Sequence, residues 1–134
     1  MDRASIENTI RQAYDARLRG DLDGVMTHFA DHASFALAGC RDSSPVPMSL
    51  AGAEPLRQAM GRLIENFVFE DFRPVTTVIE GDTAVVHWKG RVRATTTGKE
   101  AETEIVDIAH VENGKIVSFR QFVDTALAAR LLSP

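Results

Sequence analysis

The segment EIVDIAHVENGKIVSFRQFVD carries one acid, Asp107, in an apolar setting. Alternate residues of a β-strand share a face, so an extended segment sets Asp107 beside Ile105 and Ala109. The preceding segment TAVVHWKGRVRAT presents Val86, Trp88, Gly90 and Val92 in the same way. A carboxyl group enclosed by such neighbours loses hydration, and its pKa rises. An acid that stays neutral near neutral pH can donate a hydrogen bond or a proton to an oxygen that gains charge during a reaction. A plainer reading stands beside this one: a backbone N–H, the Tyr14 hydroxyl or a buried water satisfies Asp107, and no reaction follows.

The partners of Asp107 depend on two turns. A hairpin turning at Gly98-Lys99 sets Val86 opposite Val111, Trp88 opposite Ala109, Gly90 opposite Asp107 and Val92 opposite Ile105. Gly90 then leaves room for a ligand oxygen beside the acid. The other face carries His87 with His110, Lys89 with Ile108, Arg91 with Val106 and Arg93 with Glu104, a mixed surface suited to solvent or to a second subunit. At the next turn, a two-residue Asn113-Gly114 loop places Arg120 opposite Asp107, and a bulged Glu112-Asn113-Gly114 loop places Phe119 there. Arg120 would lower the pKa of the acid, whereas Phe119 would leave it isolated and raised. The bulged turn is favoured, because it sends Val117, Phe119, Gln121 and Val123 inward and leaves Arg120 outside.

Tyr14 lies on the apolar face of a predicted helix, where its hydroxyl can reach the same cavity, with plain core packing as the alternative. Asp107 and Tyr14 are thus the catalytic candidates, and Trp88, Ile105, Phe119, Gln121 and Val123 the candidate ligand contacts. His87 and His110 form the one two-histidine constellation; the favoured register turns them away from the cavity, and a different register would make them an acid/base pair. His28 and His32 read as surface residues. Asp124 reads as the N-cap of the helical tail TALAARLL. The sequence has no glycine-rich phosphate loop, nucleophile elbow or spaced metal-ligand set.

These residues are positioned by helices first and strands afterwards. Ile6, Ile10, Ala13, Tyr14 and Leu18 recur at helical spacing over Ser5–Arg19, with Ser5 as N-cap and Gly20 as stop. A second helix runs from Asp21 to about Ala30 and a short strand covers Ser34–Leu37. Gly39–Gly52 holds three Ser, two Pro and two Gly and reads as a loop, a pocket rim or lid. A third helix covers Glu54–Asn66. Strands at Phe72–Ile79, Thr83–Thr95, Ala101–Val111 and Lys115–Val123 follow, separated by turn signals. The fold class is α+β: three N-terminal helices pack on a curved, mainly antiparallel sheet and enclose a cone-shaped pocket. One domain accounts for residues 1–134.

Composition narrows the partners. With 44% hydrophobic and 25% charged residues, a chain of 134 residues buries a core without metal or disulfide. A net charge of −4 gives no footprint for nucleic acid. No apolar run is long enough to span a membrane. A single Cys40 and the absence of a leader-like segment point to the cytoplasm.

The order of elements, with IRQAYDARLRGDLDGVMTHFADHASF, VIEGDTAVVHW and VDIAHVENGKIVSFRQFVD, resembles the nuclear transport factor 2-like superfamily, especially its SnoaL-like and ketosteroid isomerase-like branches. The resemblance covers nearly the whole chain and implies a cofactor-independent isomerase or cyclase acting on a small, mostly apolar carbonyl compound. It sets Asp107 where the isomerases keep their oxyanion-stabilising acid. Their general base falls on Leu37 and their tyrosine on Ala13, next to Tyr14, which argues against steroid isomerisation by that route. In a SnoaL-like cyclase, Asp107 could act alone by protonating a carbonyl. The resemblance also implies a homodimer formed through the outer sheet face bearing Val106, Ile108 and Phe122. The alternatives are a binding protein without chemistry, a dehydratase-like enzyme using His87 and His110, and an interaction subunit.

Overall fold

A computed structural model describes residues 2–40, 42 and 46–134. Helix α1 (Arg3–Arg19) buries Ile6, Ile10, Ala13 and Tyr14 along one face. Its cap is Asp2 rather than Ser5: the Asp2 carboxylate accepts the Ser5 N–H at 2.8 Å, so Ser5 sits in the first turn as the capped residue. Gly20 ends the helix at φ 72°, its N–H reaching the carbonyls of Ala16 and Arg17. Helix α2 (Leu22–Thr27) is capped by Asp21 and is shorter than predicted, because the chain turns extended at Phe29.

Strand β1 (Phe29–Leu37) pairs in parallel with the last strand from Phe29 onward, which lengthens it beyond the predicted Ser34–Leu37. The predicted Gly39–Gly52 loop is a loop only in part. Met48–Ala51 forms β2, antiparallel to Ser34–Leu37, a run too short to show alternation and ordered by its neighbour. Residues 41 and 43–45 of that predicted rim lie outside the described residues. Helix α3 (Ala53–Asn66) leads directly into β3 (Phe67–Glu80), followed by β4 (Thr83–Ala94), β5 (Glu100–Glu112), β6 (Lys115–Phe122) and α4 (Thr125–Leu132). Asp124 caps α4 through the Leu127 N–H at 2.9 Å, as the sequence implies. The six strands form one curved sheet in the order β2-β1-β6-β5-β4-β3, mostly antiparallel, with the helices packed on it.

Two registers differ from expectation. The β4–β5 loop is Thr95–Gly98, not a tight turn at Gly98-Lys99: Ala94 N donates to Lys99 O (2.9 Å), Gly98 N donates to Ala94 O (2.8 Å), and Gly98 takes φ 76°. The strands therefore slip by an even number of residues, which keeps every face and changes every partner. Val86 pairs with Asp107, Trp88 with Ile105 and Gly90 with Thr103. Between β5 and β6, Asn113 (φ 51°) and Gly114 (φ 78°) make a two-residue turn. Val117 then bulges between the pairs Val111–Ile116 and His110–Ser118. Neither Arg120 nor Phe119 ends opposite Asp107; Gln121 does. The bulge still sends Phe119 inward and leaves Arg120 exposed, and Val117 is the unpaired residue rather than a wall of the pocket.

Gly90 has a role other than the predicted space beside the acid. A methyl group built there would lie 2.4 Å from Phe72 Cδ2 and 2.8 Å from the Phe72 Cα, so the missing side chain is filled by the Phe72 ring. That ring stacks on Phe69 at a centroid distance of 4.4 Å. Because backbone as well as ring is in the way, Gly90→Ala is expected to destabilise the fold by roughly 1–3 kcal/mol through overpacking. The midpoint of urea denaturation measures this, and an unchanged midpoint would mean that Phe72 yields freely.

Candidate active site

Asp107 is 1% exposed, among the most deeply buried side chains in the molecule. Two side-chain donors reach it: Tyr14 Oη, from α1, hydrogen-bonds Oδ2, and Gln121 Nε2, from β6, donates to Oδ1 at 3.0 Å. Gln121 Nε2 also donates to Tyr14 Oη at 3.3 Å, so the three groups close into a triangle. Trp88 stacks on the back of the Tyr14 ring with centroids 3.7 Å apart. Its Nε1 is buried and closes no hydrogen bond, yet the indole N–H lies near enough to Asp107 to favour the ionised form.

Burial pushes the Asp107 carboxyl up to about 7, against the lowering effect of Tyr14, Gln121 and Trp88 on the ionised form. Burial, and then the neighbouring Asp107 charge, raise the Tyr14 hydroxyl well above its ordinary value. Near neutrality the acid is therefore divided between its two forms while Tyr14 keeps its proton. Ionised Asp107 accepts the hydrogen bond from the Tyr14 O–H. Protonated Asp107 can instead donate to Tyr14 Oη, which frees the phenolic O–H for another acceptor.

The cavity lies in front of this triangle. Its walls come from α1 (Ala13, Tyr14, Arg17), β1 (Phe35, Leu37), α3 (Met60, Leu63), the sheet (Ile105, Phe119, Gln121) and α4 (Leu127, Leu131). About 90 Å³ of interior room limits the enclosed part of a ligand to roughly one ring. Of the predicted residues, Tyr14, Ile105, Phe119, Gln121 and Val123 line the cavity. Asp107 sits beneath the lining and meets the cavity through Tyr14 and Gln121. Trp88 is not a wall, a correction that follows from its stacking behind Tyr14; it borders a second hollow between α1 and β3. Leu37 is on the wall, 3% exposed, with no group to take a proton.

His87 and His110 face away from the cavity. His87 Nε2 lies 2.7 Å from Glu104, and His110 Nδ1 lies 3.1 Å from Thr83 Oγ1. A histidine-based acid/base pair in the cavity is thereby corrected. Three polar lining residues escaped the sequence reading as cavity groups: Arg17, Thr103 and Asp124. Arg17 follows Tyr14 by three positions on the same helical face, and a charged residue on that stripe was the available signal. Among the described residues, no cluster of His, Cys, Asp and Glu could hold a metal ion, and no helix is long and apolar enough to cross a membrane.

The model of the SnoaL-like domain family matches residues 10–119. No curated protein sequence matches the chain. Among solved structures, an NTF2-like protein from Burkholderia pseudomallei superposes with a TM-score of 0.82 at 24% identity, covering 100% of both chains. An NTF2-like protein from Burkholderia thailandensis gives 0.77 at 26% identity, covering 96% of this chain and 98% of its own. A Xanthomonas campestris protein, provisionally named a polyketide cyclase, gives 0.79 at 16% identity over 98% of each chain. These likenesses bear on the fold.

The raised pKa predicts a pH-dependent stability. In the window from about 4 to 7 the folded state holds a proton on Asp107 that the unfolded state releases, so this group's contribution falls as pH rises and is flat above about 7. Asp107→Asn removes the titration. The stability of wild type minus variant, from urea denaturation at pH 5 and pH 8, is expected to drop by on the order of 2–4 kcal/mol between the two. A pH-independent difference would mean that the carboxyl titrates normally.

Proposed function

The chain belongs to the SnoaL-like domain family, and on that premise we propose that its cavity polarises the carbonyl group of a small, mostly apolar compound through Tyr14 backed by protonated Asp107. The observation that carries this reading is the hydrogen bond between a cavity-lining phenol and a buried acid whose pKa lies at about 7. A ligand oxygen at the wall accepts the Tyr14 O–H while Asp107 donates into Tyr14 Oη from behind, so negative charge developing on the ligand is shared along the chain. Gln121 holds both groups in place. Leu37 supplies no base, so the reading is confined to compounds whose α-proton is acidic enough to leave to solvent, such as 1,3-dicarbonyls. Isomerisation and ring closure both pass through the enol that this arrangement favours.

Benzoylacetone tests the proposal. Its α-hydrogen exchange in deuterated buffer, followed by proton NMR, should accelerate with the protein and fade above about pH 7. Tyr14→Phe and Asp107→Asn are each expected to reduce the acceleration by roughly 10²-fold or more. If neither substitution changes the exchange rate and both variants are folded, the second reading takes over: a carrier of apolar compounds without chemistry, which the inert Leu37 side chain favours.

We also propose a homodimer formed through the outer sheet face. Ile108 (38% exposed), Phe122 (43%) and Val78 (53%) lie uncovered there, and Val85 pairs with both Val78 and Ile108. The two-residue change Ile108→Asp with Phe122→Asp should halve the mass found by sedimentation equilibrium. A monomeric wild type at micromolar concentration would end this proposal.

A further inference from the structure

Among the described residues, Arg17 is the one cation on the cavity wall. Its guanidinium is partly buried, with Cζ 4.0 Å from the centroid of the Phe69 ring. Both of its hydrogen bonds come from Nη2, to the carbonyls of Leu63 (3.2 Å) and Phe67 (2.8 Å) at the C-terminal end of α3. Nη1 and Nε have no hydrogen-bond partner among the described residues, and Arg17 is in no ion pair there. Asp124 borders the same cavity, but its Oδ1 caps the Leu127 N–H at 2.9 Å and it lies outside ion-pair reach of Arg17. A partly desolvated charge with no counterion is costly, because the interior repays lost hydration only through a partner. Burial pushes this group down to about 10, which leaves it fully charged at neutral pH.

We infer that the ligand of this cavity is an anion, an apolar compound bearing a carboxylate or an equally acidic enol, whose charged oxygens pair with the free Nη1 and Nε of Arg17. The inference rests on the reading of this cavity as the ligand site and adds the charge class of what enters it. The fork of donors suits two coplanar oxygens. Arg17 and Tyr14 stand one helical turn apart, roughly 5 Å along the axis, so the anionic group and the polarised carbonyl belong to one small molecule. The aromatic support at Phe69 holds the guanidinium plane before the ligand arrives.

The competing role for Arg17 is that of a strut, tying α1 to the end of α3 through the two carbonyls. Calorimetric titration of the chain with phenylacetate and with its neutral isostere phenylacetamide separates the two, and the fluorescence of Trp88, stacked behind Tyr14, reports occupancy of the cavity. Phenylacetate is expected to bind at least ten-fold more tightly than phenylacetamide, and Arg17→Gln should bring it down to the amide's level while leaving phenylacetamide unchanged. Arg17→Lys, which keeps the charge and loses the fork, should fall between. Equal affinities of the wild type for the two compounds would overturn the inference while leaving the cavity as a ligand site. A parallel loss of both in Arg17→Gln would make Arg17 the strut. If neither compound binds the wild type, the cavity reading fails and the inference fails with it. The wild-type comparison and its expected weakening with added salt decide the matter even if Arg17→Gln does not fold.

Discussion

A carboxyl group removed from water and satisfied by only two side chains is the constraint to which the rest of the structure answers. Asp107 could not be buried among Val86, Ile105 and Ala109 without donors, since an unpartnered polar group in that environment is among the costliest defects a fold can carry. The donors come from opposite ends of the chain: Tyr14 is 93 residues away on α1 and Gln121 is 14 residues away on β6. The rotation of α1 over the sheet and the pairing of β5 with β6 are therefore both tied to one acid. A slip of one residue in that pairing would turn Gln121 to the outer face and put a neighbour of opposite character beside the carboxyl. The chain reaches the working pairing with a two-residue Asn-Gly turn and a bulge at Val117.

How much of this was legible follows from what alternation encodes. Period-two patterning tells which face a residue takes, and the inward setting of Asp107, Phe119 and Gln121 and the outward setting of His87, His110 and Arg120 could be read from it. Partner identity depends on loop length, and the run Thr95–Gly98 offers several closures with similar turn chemistry. The even slip that followed preserved the face of Gly90 while giving it Thr103 in place of Asp107. The Val117 bulge did leave a trace, because Ile116 and Phe119 are both buried at an odd spacing, which an unbroken strand buried on one face does not give. β2 left none: four residues at a sheet edge take their order from β1. Caps mark the end of α1 and the starts of α2 and α4, whereas the start of α1 falls to Asp2, whose carboxylate takes the Ser5 N–H, and α2 stops at Thr27 because the chain turns extended at Phe29.

Arg17 was missed for a different reason. Apolar residues define the stripe of α1, and a long cationic side chain lying along it looks like surface until the opposing layer is known. That layer is aromatic. The open space at Gly90 admits Phe72, Phe72 stacks on Phe69, and Phe69 carries the guanidinium. One turn earlier on the same helix, Trp88 supports the ring of Tyr14. Both polar tips of α1 thus project into the cavity from aromatic seats supplied by β3 and β4. A residue without a side chain, outside the cavity lining, helps fix where a charge stands.

The two polar groups also act on each other through the ionisation of the acid. The Arg17 charge, one turn from Tyr14, lowers the pKa of that hydroxyl, a smaller effect than burial and the Asp107 charge, which raise it. An anion seated on Arg17 would cancel that influence and repel a carboxylate at Asp107, which favours the protonated acid. Protonated Asp107 is the state in which Tyr14 can turn its O–H toward a ligand oxygen. On this reading a charged ligand selects the acidic form of the site as it binds, and by linkage the acidic form holds the ligand more firmly. A neutral compound of the same shape would meet a Tyr14 still committed to the carboxylate for part of the time, with the apolar walls alone to retain it.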